Sequence, residues 1–375
     1  MPETKIYRVI GLMSGTSLDG VDAAIIETDG ETVFSIGAAV SLPYSKIERS
    51  ILEKATQSAL AWNFKGPQPN DFTLAEDVLH QTHVAAVQAI IFQSGLDLAD
   101  INLVGFHGQT VLHRAPSAMQ KGQTLQLGDG AKLARTLGVD VAYDFRSADV
   151  AAGGQGAPLA PIYHKALLQK AGLGSEAAIL NIGGVSNFTL LSPLGDLIAS
   201  DAGPGNGPLD QWIKRAGLGD YDVDGALSLK GTPDFTRLEA WLARDFFNLP
   251  VPKSADRYDF DVLPRMHGLS AEDGAATLCA FTARAVTKTL DQTECSIGTI
   301  VVCGGGRRNP AIMAALREAT QSRIISAEAI GWDGDALEAQ AFAYLAVRTV
   351  KNLPLSFPKT TGVKTEITGG VIAHP

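Results

Sequence analysis

Apolar residues run through positions 6–13 (IYRVIGLM) and again through Val21–Thr28, with small and polar residues from Ser14 to Gly20 between them. This pattern predicts two buried strands joined by an exposed turn. Asp29-Gly30 follows, then Thr32–Leu42 as a third strand, because Asp-Gly between strand-like runs favours a hairpin turn. The period then changes. Residues 45–62 and 72–95 read as helices, the second carrying Val78, Leu79, Ala86, Val87, Ile90 and Ile91 at helical spacing. Ile101–His107 reads as a short strand, 128–137 as a helix and Val139–Asp144 as another strand.

After a Gly/Pro-rich bridge (Gly153–Pro161) the order restarts. Ala177–Ile182, Phe188–Leu191 and Leu197–Ser200 read as strands, the first two joined by a turn over Gly183–Asn187. Helices over 207–216, 234–246 and 270–292, a strand at Thr299–Cys303 and a helix from Pro310 complete the pattern. A meander followed by alternating helices and strands thus occurs twice, without a repeat at the residue level. It predicts an α/β protein of two similar domains flanking a cleft, the usual place for a ligand. The first lobe is expected over 1–145 and the second over 146–336.

Composition narrows the function. The 375 residues suit two domains, and 45% hydrophobic content with 39 glycines fits a packed core with many tight turns. A net charge of −9, without a Lys/Arg run, argues against a nucleic-acid partner. The three cysteines, Cys279, Cys295 and Cys303, form no C-x-x-C pair and favour a reducing compartment. The first residues are polar, no apolar run is long enough for a bilayer, and a soluble cytoplasmic protein is expected.

The candidate chemistry lies in the turns. Ser14, Gly15, Thr16, Ser17, Leu18, Asp19, Gly20, Val21 and Asp22 place glycine N–H groups, hydroxyls and carboxylates between two strands. Such a turn either cradles phosphate, with a carboxylate to hold magnesium, or is a plain hairpin. A matching turn in the second unit holds Gly183, Gly184 and Asn187, so one phosphate chain could be held from both. A third cluster, Gly304, Gly305 and Gly306 with Asn309, links a strand to a helix. No G-x-x-x-x-G-K-[ST] occurs, which excludes a P-loop, and the glycine clusters miss G-x-G-x-x-G. Asp201, at a strand end before Gly-Pro, is either a general base or a turn residue. His107, Gln109 and Thr110 follow a strand and could bond a sugar, and Arg146 could pair with a carboxylate. Gly153–Leu159 reads as a binding loop or a hinge. His80 and His83, at i and i+3 without a carboxylate partner, read as solvated helix residues.

Six segments in this order, GLMSGTSLDGVDAA (11–24), FHGQTVLHR (106–114), DFRSADVAAGGQGAPLAP (144–161), NIGGVSNFT (181–189), DAGPGN (201–206) and CGGGRRNP (303–310), resemble the anhydro-N-acetylmuramic acid kinases. The likeness extends to the tail LPLSFPKTTG (353–362) and so spans nearly the whole chain. It implies the two-domain actin/hexokinase/heat-shock-70 ATPase fold, with the C-terminal segment 337–375 completing the first lobe. It also implies ATP and Mg2+ as cofactors, a homodimer, and a reaction that changes two bonds. Water opens the 1,6-anhydro bridge while O6 takes the γ-phosphoryl of ATP, giving N-acetylmuramic acid 6-phosphate and ADP in cell-wall recycling. By the resemblance Asp201 is the base for water, Glu338 a second carboxylate, and Arg146 with the 107–110 segment the holder of the sugar and its lactyl group.

Some positions depart from the family pattern. Ala202 stands for Thr, Leu337 for Lys, Asp129 for Glu, and Lys253–Arg257 for a PKSTGR-like run. The superfamily's Asp in the first phosphate turn is absent, Met13 or Ser14 standing there, which leaves Asp19 and Asp201 as the metal candidates. The rival readings are a kinase of another amino sugar without ring opening, and a sugar or ATP sensor.

Overall fold

A computed structural model describes residues 5–116, 120–255 and 257–375, with Arg257 and Tyr258 described in backbone alone. Asp256, part of the 253–257 departure, lies outside the described residues. By contacts the chain divides into two compact units, Met1–Lys170 with Ala336–Pro375, and Ala171–Asp335.

In chain order the elements are β1 Tyr7–Ser14, β2 Gly20–Thr28, β3 Val33–Pro43, α1 Lys46–Trp62, α2 Asp71–Ser94, β4 Leu103–Arg114, β5 Gln123–Leu127, α3 Gly130–Leu137, β6 Val141–Tyr143, α4 Ser147–Ala151 and α5 Pro161–Lys170. The second unit adds β7 Ala177–Ile182, β8 Val185–Leu191, β9 Leu197–Pro204, α6 Gly207–Arg215, α7 Phe235–Leu242, α8 Ala271–Asp291, β10 Thr299–Cys303, α9 Pro310–Ala319 and β11 Arg323–Ser326. The chain then returns to the first unit with α10 Leu337–Val350, α11 Pro358–Thr361 and β12 Val371–Ala373. The expected actin-like α/β architecture of two sheet-bearing units is present.

The first sheet runs β12-β6-β4-β1-β2-β3, with β5 paired to β4. Strands β1, β2 and β3 form the antiparallel meander expected from their strand-like runs and the Asp29-Gly30 turn, and β4 and β6 add in parallel. Ile10, Leu12, Val21, Ala23 and Val104 face a core completed by Leu52, Leu79, Ile90 and Leu133 of the helices. Ser45 starts α1 through a capping box, accepting from the Glu48 N–H while Glu48 accepts from the Ser45 N–H at 2.7 Å. Asp129, the departure from Glu, caps α3 by accepting from the Lys132 N–H at 2.8 Å. On the other face α10 crosses the sheet very closely. A Cβ on Gly11 would fall 1.8 Å from the Ala339 carbonyl oxygen, and one on Gly105 2.2 Å from that of Phe342. Glycine is required there by backbone contact.

The second sheet runs β11-β10-β7-β8-β9, with β7, β8 and β9 again an antiparallel meander. Its core centres on Phe188, Trp241, Phe247, Phe260 and Phe281. Through this core runs α8, nearly every residue of whose middle turns is buried, started by Ser270 accepting from the Asp273 N–H at 3.0 Å.

Several sequence expectations change. Residues 146–170, expected to open the second lobe, pack in the first unit, where Tyr163 of α5 donates to Gln340 of α10 at 2.7 Å. β5, β11 and β12 were not expected; each is short and finds its partner strand only on folding. β9 continues four residues beyond Ser200, so Asp201 lies within a strand, paired with Asn187. β8 begins at Val185, which confines the turn to Gly183-Gly184 and puts Asn187 in the strand. His83 is fully buried, its ring edge-on to Phe106 at 4.8 Å, rather than solvated. No helix among the described residues is long and apolar enough to cross a membrane.

Candidate active site

In the first unit the turn after β1 is anchored from beneath. Leu18, at φ 56°, is buried, and its N–H closes the turn on the Gly15 carbonyl at 3.1 Å. Ser14 points inward. Its hydroxyl donates to Gln109 Oε1 at 2.5 Å and lies 2.7 Å from the Tyr44 hydroxyl, whose pKa burial pushes up to about 12. Gln109, fully buried, returns a bond to the Gly15 carbonyl at 3.2 Å. Ser14 and Gln109 therefore shape the turn from inside, leaving Thr16, Ser17 and Asp19 exposed on it. A Cβ on Gly15 would meet nothing closer than Ser17 Oγ at 3.7 Å, so protein packing does not demand this glycine. Asp19 pairs loosely with Arg49 at 3.4 Å.

Beyond β4 and β6 stands a second group. Arg146 donates through Nε and Nη2 to His107 Nε2 at 3.1 and 2.9 Å, and through Nη1 to the Gly156 carbonyl at 2.7 Å. Arginine can only donate, so His107 accepts on Nε2 and carries its proton on Nδ1, which donates to the Gly108 carbonyl at 2.8 Å. Burial and the neighbouring Arg146 charge hold the His107 pKa well below its usual value. Burial also lowers Arg146 to about 10, against the carboxylates of Glu338 and Asp149. Glu338 opens α10 and keeps accessible surface, yet loss of bulk water around it raises its pKa, with Asp22 reinforcing and Arg146 opposing. Thr110 turns toward β5, accepting from Gln126 at 3.1 Å.

In the second unit three glycine segments converge. The Asn206 N–H donates to the Gly183 carbonyl at 2.7 Å and the Gly205 N–H to that of Gly184 at 3.1 Å. A Cβ on Gly205 would lie 2.1 Å from the Gly183 oxygen, and one on Gly304 2.2 Å from Asn181 Oδ1. Gly306 closes on Ile182 and Asn206 in the same way. Gly184 differs: it is exposed, with no protein atom within 4 Å of its Cβ position. Arg307 ties the Gly304 turn down, donating to the Gly304 carbonyl at 2.9 Å and to Asp335 at 2.8 and 3.0 Å. Asn309 caps α9, its Oδ1 accepting from the Ala311 and Ile312 N–H groups at 2.9 and 3.3 Å.

Asp201 projects from β9. Its N–H donates to the Lys253 carbonyl at 3.0 Å, and its Oδ2 accepts from the Ala255 N–H at 2.8 Å. Burial raises its pKa to about 6, partly offset by that hydrogen bond. Lys253 fastens the clamping segment, its buried ammonium donating to the Phe246 and Leu249 carbonyls and to Gln292. Ala202 faces the opposite way, into the core, so the departure from Thr at that position alters packing.

Sequence reasoning missed Tyr44, Asp149, Lys253 and Ala255 as supports. Asp149 was legible only as a carboxylate inside a quoted motif. The Ala255 N–H is a backbone group and leaves no signal in residue types. Among the described residues no three or more His, Cys, Asp or Glu side chains group to cage a metal.

The family model for anhydro-N-acetylmuramic acid kinase matches residues 7–375. The chain is 50% identical over 365 residues to the anhydro-N-acetylmuramic acid kinase of Mesorhizobium japonicum, covering 97% of this chain and 98% of that one. It is 51% identical over 366 residues to the same-named protein of Rhizobium rhizogenes, covering 97% and 98%. Among solved structures, the Acidaminococcus fermentans (R)-2-hydroxyglutaryl-CoA dehydratase component A aligns with a TM-score of 0.50 at 10% identity, over 92% of this chain and 99% of that one. That likeness concerns the fold alone.

Proposed function

The chain belongs to the anhydro-N-acetylmuramic acid kinase family, and from that premise we propose that Asp201 is the base of its reaction. The enzyme opens 1,6-anhydro-N-acetylmuramic acid with water and phosphorylates O6 from ATP. In the proposed course Asp201 takes a proton from water as the water oxygen bonds to the anomeric carbon. The bond from that carbon to O6 breaks, and O6 bonds to the γ-phosphorus as the β–γ bridge breaks, releasing ADP. Water must sit between carboxylate and sugar, as in an inverting glycosidase. O6 needs no separate acid, because the phosphoryl group captures it.

The observation that carries the proposal is the setting of Asp201: a strand residue, clamped by the Ala255 N–H, with a pKa of about 6. Near neutral pH such a group is ionised and still basic enough to work. Phosphoryl transfer rests on positioning and charge neutralisation. The open glycines, Gly15 and Gly184, have room on their faces for phosphate that packing does not explain. Thr16, Ser17 and the exposed N–H groups beside them would donate to it, with Gly305 and Gly306 toward the nucleoside. Asn309 would contribute through its amide nitrogen, since its oxygen is used in the cap. Magnesium keeps water and phosphate oxygens as most of its ligands, so one or two carboxylates suffice. Asp19 is the proposed one, since the Asp201 oxygen not held by Ala255 is committed to the water proton, and the metal would neutralise charge on the transferring group. Arg146, with N–H donors unspent, would take the lactyl carboxylate, and Glu338 would face the sugar. A cytoplasmic homodimer completes the reading: cysteines outside any disulfide suit a reducing compartment, and the family resemblance suggests the dimer.

Coupled ADP release with the anhydro sugar and magnesium ATP, followed by mass spectrometry, tests the reaction. A product heavier than the sugar by one phosphate and one water is expected. ADP release with open-ring amino sugars only would replace the substrate.

A further inference from the structure

The tail residue Thr361, at the end of α11, lies far along the chain from any segment assigned to substrate, yet it is completely buried. Its hydroxyl donates to Asp149 Oδ2 at 2.6 Å. Asp149 is itself buried in α4, and its Oδ1 accepts from the Gly156 N–H at 2.5 Å. The carbonyl of Gly156 accepts from Arg146 Nη1 at 2.7 Å. The other donors of Arg146 that have partners go to His107. Thus one continuous line of hydrogen bonds runs Thr361, Asp149, Gly156, Arg146, His107, wholly inside the first unit.

Two further bonds keep the loop between Asp149 and Gly156 in register. The Gln155 N–H donates to the Thr361 carbonyl at 2.7 Å, and the Gly154 N–H to the Asp149 carbonyl at 2.9 Å. Gly156 sits at φ 72°, a conformation that L side chains rarely adopt, and a Cβ there would press on Val150 at 2.6 Å. Gly154 is as closely fitted, a Cβ there falling 2.3 Å from Asp149 Oδ1, so the backbone course on either side of Gln155 is set by packing. Without the Thr361 hydroxyl, a buried carboxylate oxygen would lose its donor, and such a group seeks a replacement by moving or by taking a proton. Either response frees Gly156 and with it the acceptor that aims Arg146.

We infer that Thr361 is a positioning residue for substrate recognition: through Asp149 and Gly156 it fixes the direction of Arg146 and so sets affinity for the sugar's carboxylate. The inference rests on the reading that Arg146 meets that carboxylate. It leaves the nucleotide untouched, because no member of the line belongs to the glycine turns.

Calorimetric dissociation constants for the anhydro sugar and for ATP, each measured alone, test it with Thr361→Val, Thr361→Ser, Asp149→Asn and Arg146→Ala. Thr361→Val keeps the shape and removes the donor, so sugar binding should weaken about tenfold while ATP binding stays unchanged. Thr361→Ser should restore sugar affinity. Asp149→Asn, which keeps the shape and replaces one acceptor by a donor, should weaken the sugar in the same direction and serves if the valine variant does not fold. Wild-type sugar affinity in both Thr361→Val and Asp149→Asn, with Arg146→Ala weakened, would overturn the positioning role alone. Equal weakening of sugar and ATP would also overturn it, as general damage. Unchanged sugar affinity in Arg146→Ala would remove the underlying reading and the inference with it.

Discussion

The Ala255 N–H donates to Oδ2 of Asp201 at 2.8 Å, while the Asp201 N–H donates to the Lys253 carbonyl at 3.0 Å. The carboxylate proposed as base is thus oriented by backbone groups of one segment, 253–255, and not by another side chain. Backbone donors hold direction without adding a full charge. That lets burial win and carry the pKa up to about 6.

A raised carboxyl pKa places the acid limb of the rate profile. The base form is the ionised one, so kcat/KM should hold above neutrality and fall about tenfold per pH unit below about 6. Asp201→Asn should lose about 10²–10⁴-fold in turnover and bind ATP nearly as before. A variant with near-normal rates would take Asp201 out of the base role.

The same residue should cost stability. Its pKa rises from 3.8 to about 6 on folding, so the native chain holds this proton more tightly than the unfolded chain. Stability therefore declines as pH rises from about 4 to 6, and the full cost remains above that. Asp201→Asn, which still accepts from Ala255, should be more stable than the parent at pH 7–8 by on the order of 1–3 kcal/mol, and equal to it below about pH 4. Denaturant melts at the two pH values give the comparison; an equal gain at both would mean packing, not titration, is responsible.

Gly11 bears on the fold itself. A Cβ there would stand 1.8 Å from the Ala339 carbonyl oxygen in α10, and backbone cannot yield as a side-chain tip can. Gly11→Ala should destabilise the chain by about 3 kcal/mol or more, read as a lowered melting temperature. A melt like the parent's would show that α10 can shift outward at little cost.

Gly184→Ala separates ligand from fold. Nothing in the protein lies within 4 Å of the added carbon, so the melting temperature should barely move. ATP binding should weaken about tenfold or more if phosphate approaches that face closely. Unaltered ATP affinity would take this turn out of the phosphate site.

Asn309 is set apart from its glycine neighbours by its cap. Loss of the two bonds it accepts at the start of α9 should lower stability by about 1 kcal/mol in Asn309→Ala. Asn309→Asp should restore the cap. If the aspartate variant recovers stability but not ATP affinity, the amide nitrogen meets the nucleotide; recovery of both would leave Asn309 a cap alone.

The repeated order of strands and helices was legible in the sequence because apolar periodicity is local. The β1–β3 meander, α1, α2 and α8 all carry their own pattern, and Asp29-Gly30 marks its own turn. The glycine turns and Arg146 lie in short runs whose residue types state what each can donate or accept, whereas Asp201 reads locally as either a base or a turn residue and takes the base role only from the family resemblance. Folding decided what local pattern does not contain. Short β5, β11 and β12 exist only beside partner strands, and β9 extends through Asp201 because Asn187 pairs with it. Residues 146–170 joined the first unit because Tyr163 and its helix bury against α10, almost two hundred residues further on. Ser14, expected at the phosphate, and Gln109, expected at the sugar, turned inward onto each other, since a buried hydroxyl and a buried amide must each find a partner. Sequence fixes which groups are available; only the pairing of distant segments fixes which remain free to meet a substrate, because hydrogen bonds formed inside the fold are spent.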